Sequence, residues 1–291
     1  MNKNNNQKTL KYGLIVLALS FVISIVIYFQ FSIGDVVFLK HYYDVEINNS
    51  SFLELHFIAN ADDERQITDI NFPQVQDNFA QIEFDHFRNN KGDGYYYNTV
   101  KTAHYNYNVI SLVVLVSANS TKLDGKIVLD KAIVKFNNGD EQEVDIGRIV
   151  LYKNIKKTDA LDLNYYSSSN NNISIAVMEA QKDFLIENIS SYLDKEINSI
   201  LLFKMNYTPT DELSYPIDIK KGESLSFESQ FDFKEDDMSK FNVYEIQKKV
   251  AIKDNNKRTS YQNIYNIAYS PIDLFLTEKN IMEYLNYRGV K

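Results

Sequence analysis

From Tyr12 to Ile33 the chain reads YGLIVLALSFVISIVIYFQFSI, a run with no charged side chain. At 1.5 Å per residue a helix of this length spans about 33 Å, enough for one bilayer crossing. Backbone polar groups cannot stay unpaired in hydrocarbon, so an isolated span must be helical. Residues 12–33 are therefore expected to form a transmembrane anchor. Beyond it the apolar residues recur every second position, the mark of half-buried strands. In LSFESQFDF, Leu225, Phe227, Phe231 and Phe233 fall on one face, with Ser226, Glu228, Gln230 and Asp232 on the other. The apolar run Val109 to Val116 suits a buried strand and is too short to span a membrane.

Turn chemistry punctuates these strands. AIVKFNNGDEQEVDI predicts a hairpin around Asn137, Asn138, Gly139 and Asp140, residues that tolerate positive φ. KKVAIKDNNKRTSYQNI predicts another around Asp254 to Lys257. Two further segments share the order of their apolar positions: LELHFIANADDERQITDINF and DFLIENISSYLDKEINSILLF. Two matched blocks in the same order suggest an internal repeat. The expected fold class is mainly β: an N-terminal transmembrane helix followed by two tandem immunoglobulin-like β-sandwich domains. The divisions are a tail at 1–11, the anchor at 12–33, a first sandwich at 36–154, a second at 160–276 and a C-terminal helix or tail at 277–291. NIKKTDA, charged and poor in apolar residues, marks the join. Met178 to Asn198 fits either a helix or, as preferred, strand, loop and strand. TEKNIMEYLNYRGVK predicts a helix capped by Thr277 and Gly289, with Ile281 and Leu285 on one face, packed on the second domain.

Charge sets the expected orientation. Lys3, Lys8 and Lys11 precede the apolar run with no acid, whereas Asp35, Lys40, Asp44 and Glu46 follow it. By the positive-inside rule the N-terminus is cytoplasmic and the C-terminal region extracellular at the cell membrane. The competing expectation, a cleaved signal peptide, has only Ser32-Ile33-Gly34 as a small-x-small site, and the apolar run exceeds a signal peptide's. The chain carries a formal net charge of −8; with three lysines before the span, the remainder carries −11. Such a field disfavours nucleic acid as a partner. There is no cysteine, which excludes disulfides, thiolate metal sites and a cysteine nucleophile. A disulfide-free exported chain rich in Asn, Lys and Ile fits a Gram-positive bacterial surface.

Hydrolase, metalloprotease, phosphate-loop and dinucleotide motifs are all missing, and nine glycines offer little material for phosphate-cradling loops. His41, His56, His86 and His104 are scattered, and the acidic run Asp232, Glu235, Asp236 and Asp237 lacks calcium-loop spacing. No catalytic, metal or cofactor-binding residue is assigned, and no cofactor is expected. Tyr95, Tyr96, Tyr97, Tyr105 and Tyr107 form an aromatic cluster suited to a protein partner. Ser20 and Ser24, four residues apart, give the anchor a small-residue face for helix packing. The expectation is a non-enzymatic, membrane-anchored extracytoplasmic interaction module that contacts the lipid bilayer through residues 12–33 and a protein partner outside. The alternatives are an accessory or sensing subunit of a membrane transport or signalling complex, and an exported hydrolase.

Overall fold

The computed structural model describes residues 3–47, 50–75, 80–82, 100–115, 126–153, 156–169 and 172–291. The chain begins with α1 (Lys3–Phe31), followed by β1 (Val37–Phe38), β2 (His41–Glu46), β3 (Ser50–Asn60), β4 (Ile67–Asn71), β5 (Ala80–Ile82), β6 (Val100–Lys101), β7 (Tyr105–Leu115), β8 (Lys126–Phe136) and β9 (Glu141–Tyr152). It continues through β10 (Leu161–Ser168), β11 (Ile173–Ala180), β12 (Phe184–Ser190), α2 (Asp194–Ile197), β13 (Leu201–Met205), β14 (Thr208–Pro209), β15 (Ile217–Ile219) and β16 (Ser224–Phe231). A 3₁₀ turn (Met238–Phe241), β17 (Val243–Lys253), β18 (Thr259–Tyr269), a second 3₁₀ turn (Ile272–Leu276) and α3 (Glu278–Tyr287) complete it. The protein is mainly β.

Three sheets organise the described strands. One has the order β1-β3-β7-β5, with β6 also on β7; another runs β10-β11-β16-β13-β14. The third is eight-stranded, β15-β12-β17-β2-β9-β8-β4, with β18 on β17. Its centre is β2, parallel to both neighbours: His41 pairs with Gly147 on β9 and with Val243 on β17. A strand flanked on both sides and covered on both faces loses its alternation, which is why HYYDVE buries His41, Tyr43, Asp44 and Val45 together. Gly147 is needed there. Its φ is +94°, and a Cβ would stand 2.6 Å from the His41 backbone N and O.

Two apolar cores lie on opposite sides of this central sheet. Ile149 and Leu151 of β9 join Leu53, Leu55, Phe57, Ile110 and Leu112 in the first. Val150, between them, joins Phe184, Ile186, Phe227 and Ile246 in the second.

Both predicted hairpins form, β8–β9 and β17–β18, with Gly139 and Lys257 at positive φ. The alternating segment becomes β16, with Leu225, Phe227 and Phe231 buried. Met178 to Asn198 contains strand and turn, with only the short α2 helical. The central sheet takes strands from both sides of the expected join, β2 and β9 before it and β12 and β17 after it. Thr158 N also donates to Tyr261 O, and Tyr261 N to Lys156 O. Helix α3 is capped by Thr277, whose hydroxyl accepts from Asn280 N, but its buried Ile281, Tyr284 and Leu285 belong to the first core. The reason is a pair of long-range contacts. The Tyr284 hydroxyl and Arg288 Nη1 both donate to Phe38 O, at 3.4 and 2.7 Å, drawing the helix onto the start of the sheet region.

Candidate functional site

Within α1, Lys11–Phe31 is long and apolar enough to cross a membrane, with mean hydropathy 2.5 and none of that stretch buried. Its far end is clamped to the β body. The Asn60 side chain at the end of β3 accepts from Ile33 N at 2.9 Å and donates to Ile33 O at 2.6 Å. The Phe31 ring stacks on His104 with centroids 4.1 Å apart and planes 11° from parallel. His104 Nδ1 lies 2.7 Å from Glu278 Oε1, at the start of α3. The Lys291 ammonium donates to Gln30 O at 2.7 Å and Ser32 O at 2.6 Å. A helix C-terminus leaves carbonyls unpaired at the negative end of its dipole, so a cation there is stabilising.

A second feature is a cleft of about 510 Å³ between β3 and the β2–β17–β18 part of the central sheet. β3 sends Leu53, Leu55 and Phe57 into the core, so the alternate residues Phe52, Glu54 and His56 take its other face. The opposite wall carries Tyr43 and Glu245, neighbours across the parallel β2–β17 ladder. The Tyr43 hydroxyl donates to Glu54 O at 2.6 Å, tying the walls together. Burial, then repulsion from Glu54, holds the Glu245 carboxyl above the usual range, opposed by a hydrogen bond from Asn266 Nδ2 at 2.9 Å. Burial lowers His56 to about 4, so it is neutral at pH 7. Its Nδ1 meets the Tyr107 hydroxyl. The described lining contains no lysine or arginine.

A third feature is a buried ion pair where the two cores meet. Asp44, with no exposed surface, accepts from Ser191 Oγ at 2.6 Å and Tyr192 N at 2.7 Å and faces Lys249 Nζ at 3.3 Å. The Lys249 ammonium lies 3.5 Å from the Tyr152 ring centroid and 3.6 Å from that of Tyr192, a cation–π cage. Burial pulls Lys249 down to about 8 against the attraction of Asp44, and burial raises Asp44 despite that attraction. Removal from water thus outweighs pairing for both partners. The pair joins β2 to β17 at a cost in stability, as buried ion pairs often do.

Of the residues expected to contact a partner, Tyr105 and Tyr107 have no exposed surface. The Tyr105 hydroxyl reaches Met282 Sδ at 3.0 Å, and the Tyr107 ring stacks on Phe275 at 5.0 Å. Strand β7 is covered by the second 3₁₀ turn and α3, which turns these rings inward. Tyr95, Tyr96, Tyr97 and His86 lie outside the described residues. Ser20 and Ser24 are exposed on α1, and their hydroxyls donate to Val16 O and Ser20 O, each at 2.9 Å, within the helix. Among the described residues no three His, Asp or Glu side chains converge as a metal site would require. Sequence reasoning did not single out Glu54 with Glu245 or Asp44 with Lys249, because each pair is assembled by strands far apart in the chain. Compared with known proteins, the chain matches no family model and no curated protein at a significant level, so its function must be argued from this geometry.

Proposed function

We propose that this chain is a single-pass, membrane-anchored extracytoplasmic interaction module without enzymatic activity, whose binding surface is the cleft between β3 and β17. The observation that carries the reading is an apolar helix with its side chains uncovered, attached to a folded β body by the Asn60, His104 and Lys291 contacts. Only lipid or other membrane helices would cover such a surface without cost. In this reading the two halves are immunoglobulin-like sandwiches fused through a common sheet, the N-terminal lysines stay in the cytoplasm and the β body faces outward. The absence of cysteine makes the topology testable with single substitutions. Asn256→Cys, in the exposed β17–β18 turn, is expected to react with a membrane-impermeant maleimide on intact cells, and Asn5→Cys only after lysis. Labelling of position 5 alone on intact cells would reverse the orientation and refute the reading.

The clamp favours a second reading, an accessory subunit of a membrane assembly, because a passive tether has no need of a fixed direction. Replacing residues 12–30 with an unrelated apolar helix while keeping Phe31 separates the two. Partner cross-linking that survives the exchange supports a module, and loss of it supports an assembly contact through the Ser20 and Ser24 face.

A further inference from the structure

We propose that the end of the β body clamped to α1 rests in the headgroup layer of the bilayer that α1 crosses, with Leu276 and Val290 as its apolar contacts. This extends the lipid contact beyond residues 12–33 and rests on the anchored reading above. The first argument is depth. The apolar stretch Lys11–Phe31 has 21 residues. At 1.5 Å per residue it is about 32 Å long, against a hydrocarbon core of about 30 Å, so Phe31 stands at the core's edge. The polar layer beyond that edge is about 5–7 Å thick in each leaflet. The Lys291 ammonium is 2.7 Å from Gln30 O and 2.6 Å from Ser32 O, and the His104 ring centroid is 4.1 Å from that of Phe31. These separations are smaller than the layer is thick, so both side chains lie within it.

The second argument is what flanks these two tethers. Val290, 41% exposed, adjoins Lys291. Leu276, 59% exposed, stands two residues before Glu278, whose carboxylate is 2.7 Å from His104 Nδ1. An aliphatic side chain left in water gains burial where headgroups meet acyl chains, so such positions suit lipid contact. The third argument is direction. Asn60 grips Ile33 through both backbone groups, at 2.9 and 2.6 Å, while His104 and Lys291 hold Gln30, Phe31 and Ser32. Tethers from three separate segments to four consecutive residues fix the body against the helix end. Inserting α1 therefore brings this one end of the body to the bilayer surface, and lipid is the occupant that the geometry supplies. A partner protein would have to displace headgroups to reach it.

The test is fluorescence quenching of the full chain in phosphatidylcholine nanodiscs. Because the chain has no cysteine, Phe21→Cys, Tyr207→Cys, Leu276→Cys and Val290→Cys can each carry one environment-sensitive fluorophore. All four side chains are exposed, so labelling leaves the packing intact. Phe21 lies mid-span and reports insertion. Tyr207, 83% exposed, follows β13 in the sheet that packs on the second core, across the central sheet from α3. With a nitroxide on the lipid headgroup, labels at 276 and 290 are expected to be quenched at least about fivefold more than the label at 207, since they alone reach the polar layer. With a nitroxide deep in the acyl chain, the label at 21 is expected to be quenched most. If 21 responds and either 276 or 290 is quenched no more than 207, the proposal is overturned and the anchored reading stands. If 21 does not respond to the deep nitroxide, α1 is not inserted and both fall.

Discussion

Replacing Lys249 with methionine tests whether the Asp44–Lys249 pair holds the two halves of the molecule in register. Methionine keeps an unbranched stem between the Tyr152 and Tyr192 rings, which lie 3.5 and 3.6 Å from the present ammonium. Packing is therefore nearly conserved and charge is lost. Asp44, with no exposed surface, retains its hydrogen bonds from Ser191 and Tyr192 but loses the ammonium that faces it. Removing one partner of a buried pair costs about 3–5 kcal/mol, mainly because the remaining charge stays desolvated. The sign of the pH dependence follows from the carboxyl. Asp44 is already raised above its ordinary 3.8, and loss of Lys249 raises it further. Between the raised wild-type value and the still higher value of the variant, the native variant holds a proton that native wild type and the unfolded chain have both released. Acidification therefore stabilises the variant relative to wild type, by up to about 1.4 kcal/mol per pH unit. Urea unfolding of the full chain in detergent micelles, followed by far-UV circular dichroism at pH 7 and pH 5, measures both quantities. The Asp44→Asn/Lys249→Met double variant is expected to recover most of the deficit. A single variant within about 1 kcal/mol of wild type at pH 7, or a deficit unchanged at pH 5, refutes the reasoning.

The wild-type pair predicts a second pH effect. Native Lys249 loses its proton near 8 and the unfolded chain near 10.5, so in that window the unfolded state binds more protons. Stability is expected to rise by about 2 kcal/mol between pH 8 and 9.5 relative to Lys249→Met, read from paired urea midpoints. Gly147→Ala places a Cβ 2.6 Å from the His41 backbone at a φ of +94°. The expected loss is about 2–4 kcal/mol in the same assay, and an unchanged midpoint would mean that the β2–β9 ladder is not as described. His104→Ala removes the ring stacked on Phe31 and the partner of Glu278. Because the contact is partly exposed, global stability should fall by only about 0.5–1 kcal/mol. The distance distribution between spin labels on α1 and the β body should nevertheless broaden, and a distribution as narrow as wild type would show that Asn60 and Lys291 hold the helix alone.

Local pattern decided a large part of this protein. A charge-free run of helical length dictates α1, because only a helix pairs its own backbone in an apolar setting. Alternation dictates β16 and β11, whose side chains bury at every second residue. Asn-Asn-Gly-Asp and Asp-Asn-Asn-Lys dictate their hairpins through residues that accept positive φ, and Thr277 and Gly289 bound α3 for the same local reasons. None of these features depends on what the element later packs against.

Tertiary structure decided where the elements go. Parallel pairing of β2 with β9 and β17 joins residues more than one hundred positions apart, and nothing in HYYDVE names those partners. That pairing merges halves that the repeat pattern set apart, and it creates both the Asp44–Lys249 pair and the Glu54–Glu245 cleft. The same limit explains the tyrosines. Alternation in YNYNVISLVVL distinguishes two faces of β7, but whether the Tyr105 and Tyr107 face meets solvent depends on a 3₁₀ turn and α3 about 170 residues later. Periodicity reports that a face is apolar or amphipathic; the covering element and the convergence of charge across strands are non-local, and only the folded chain determines them.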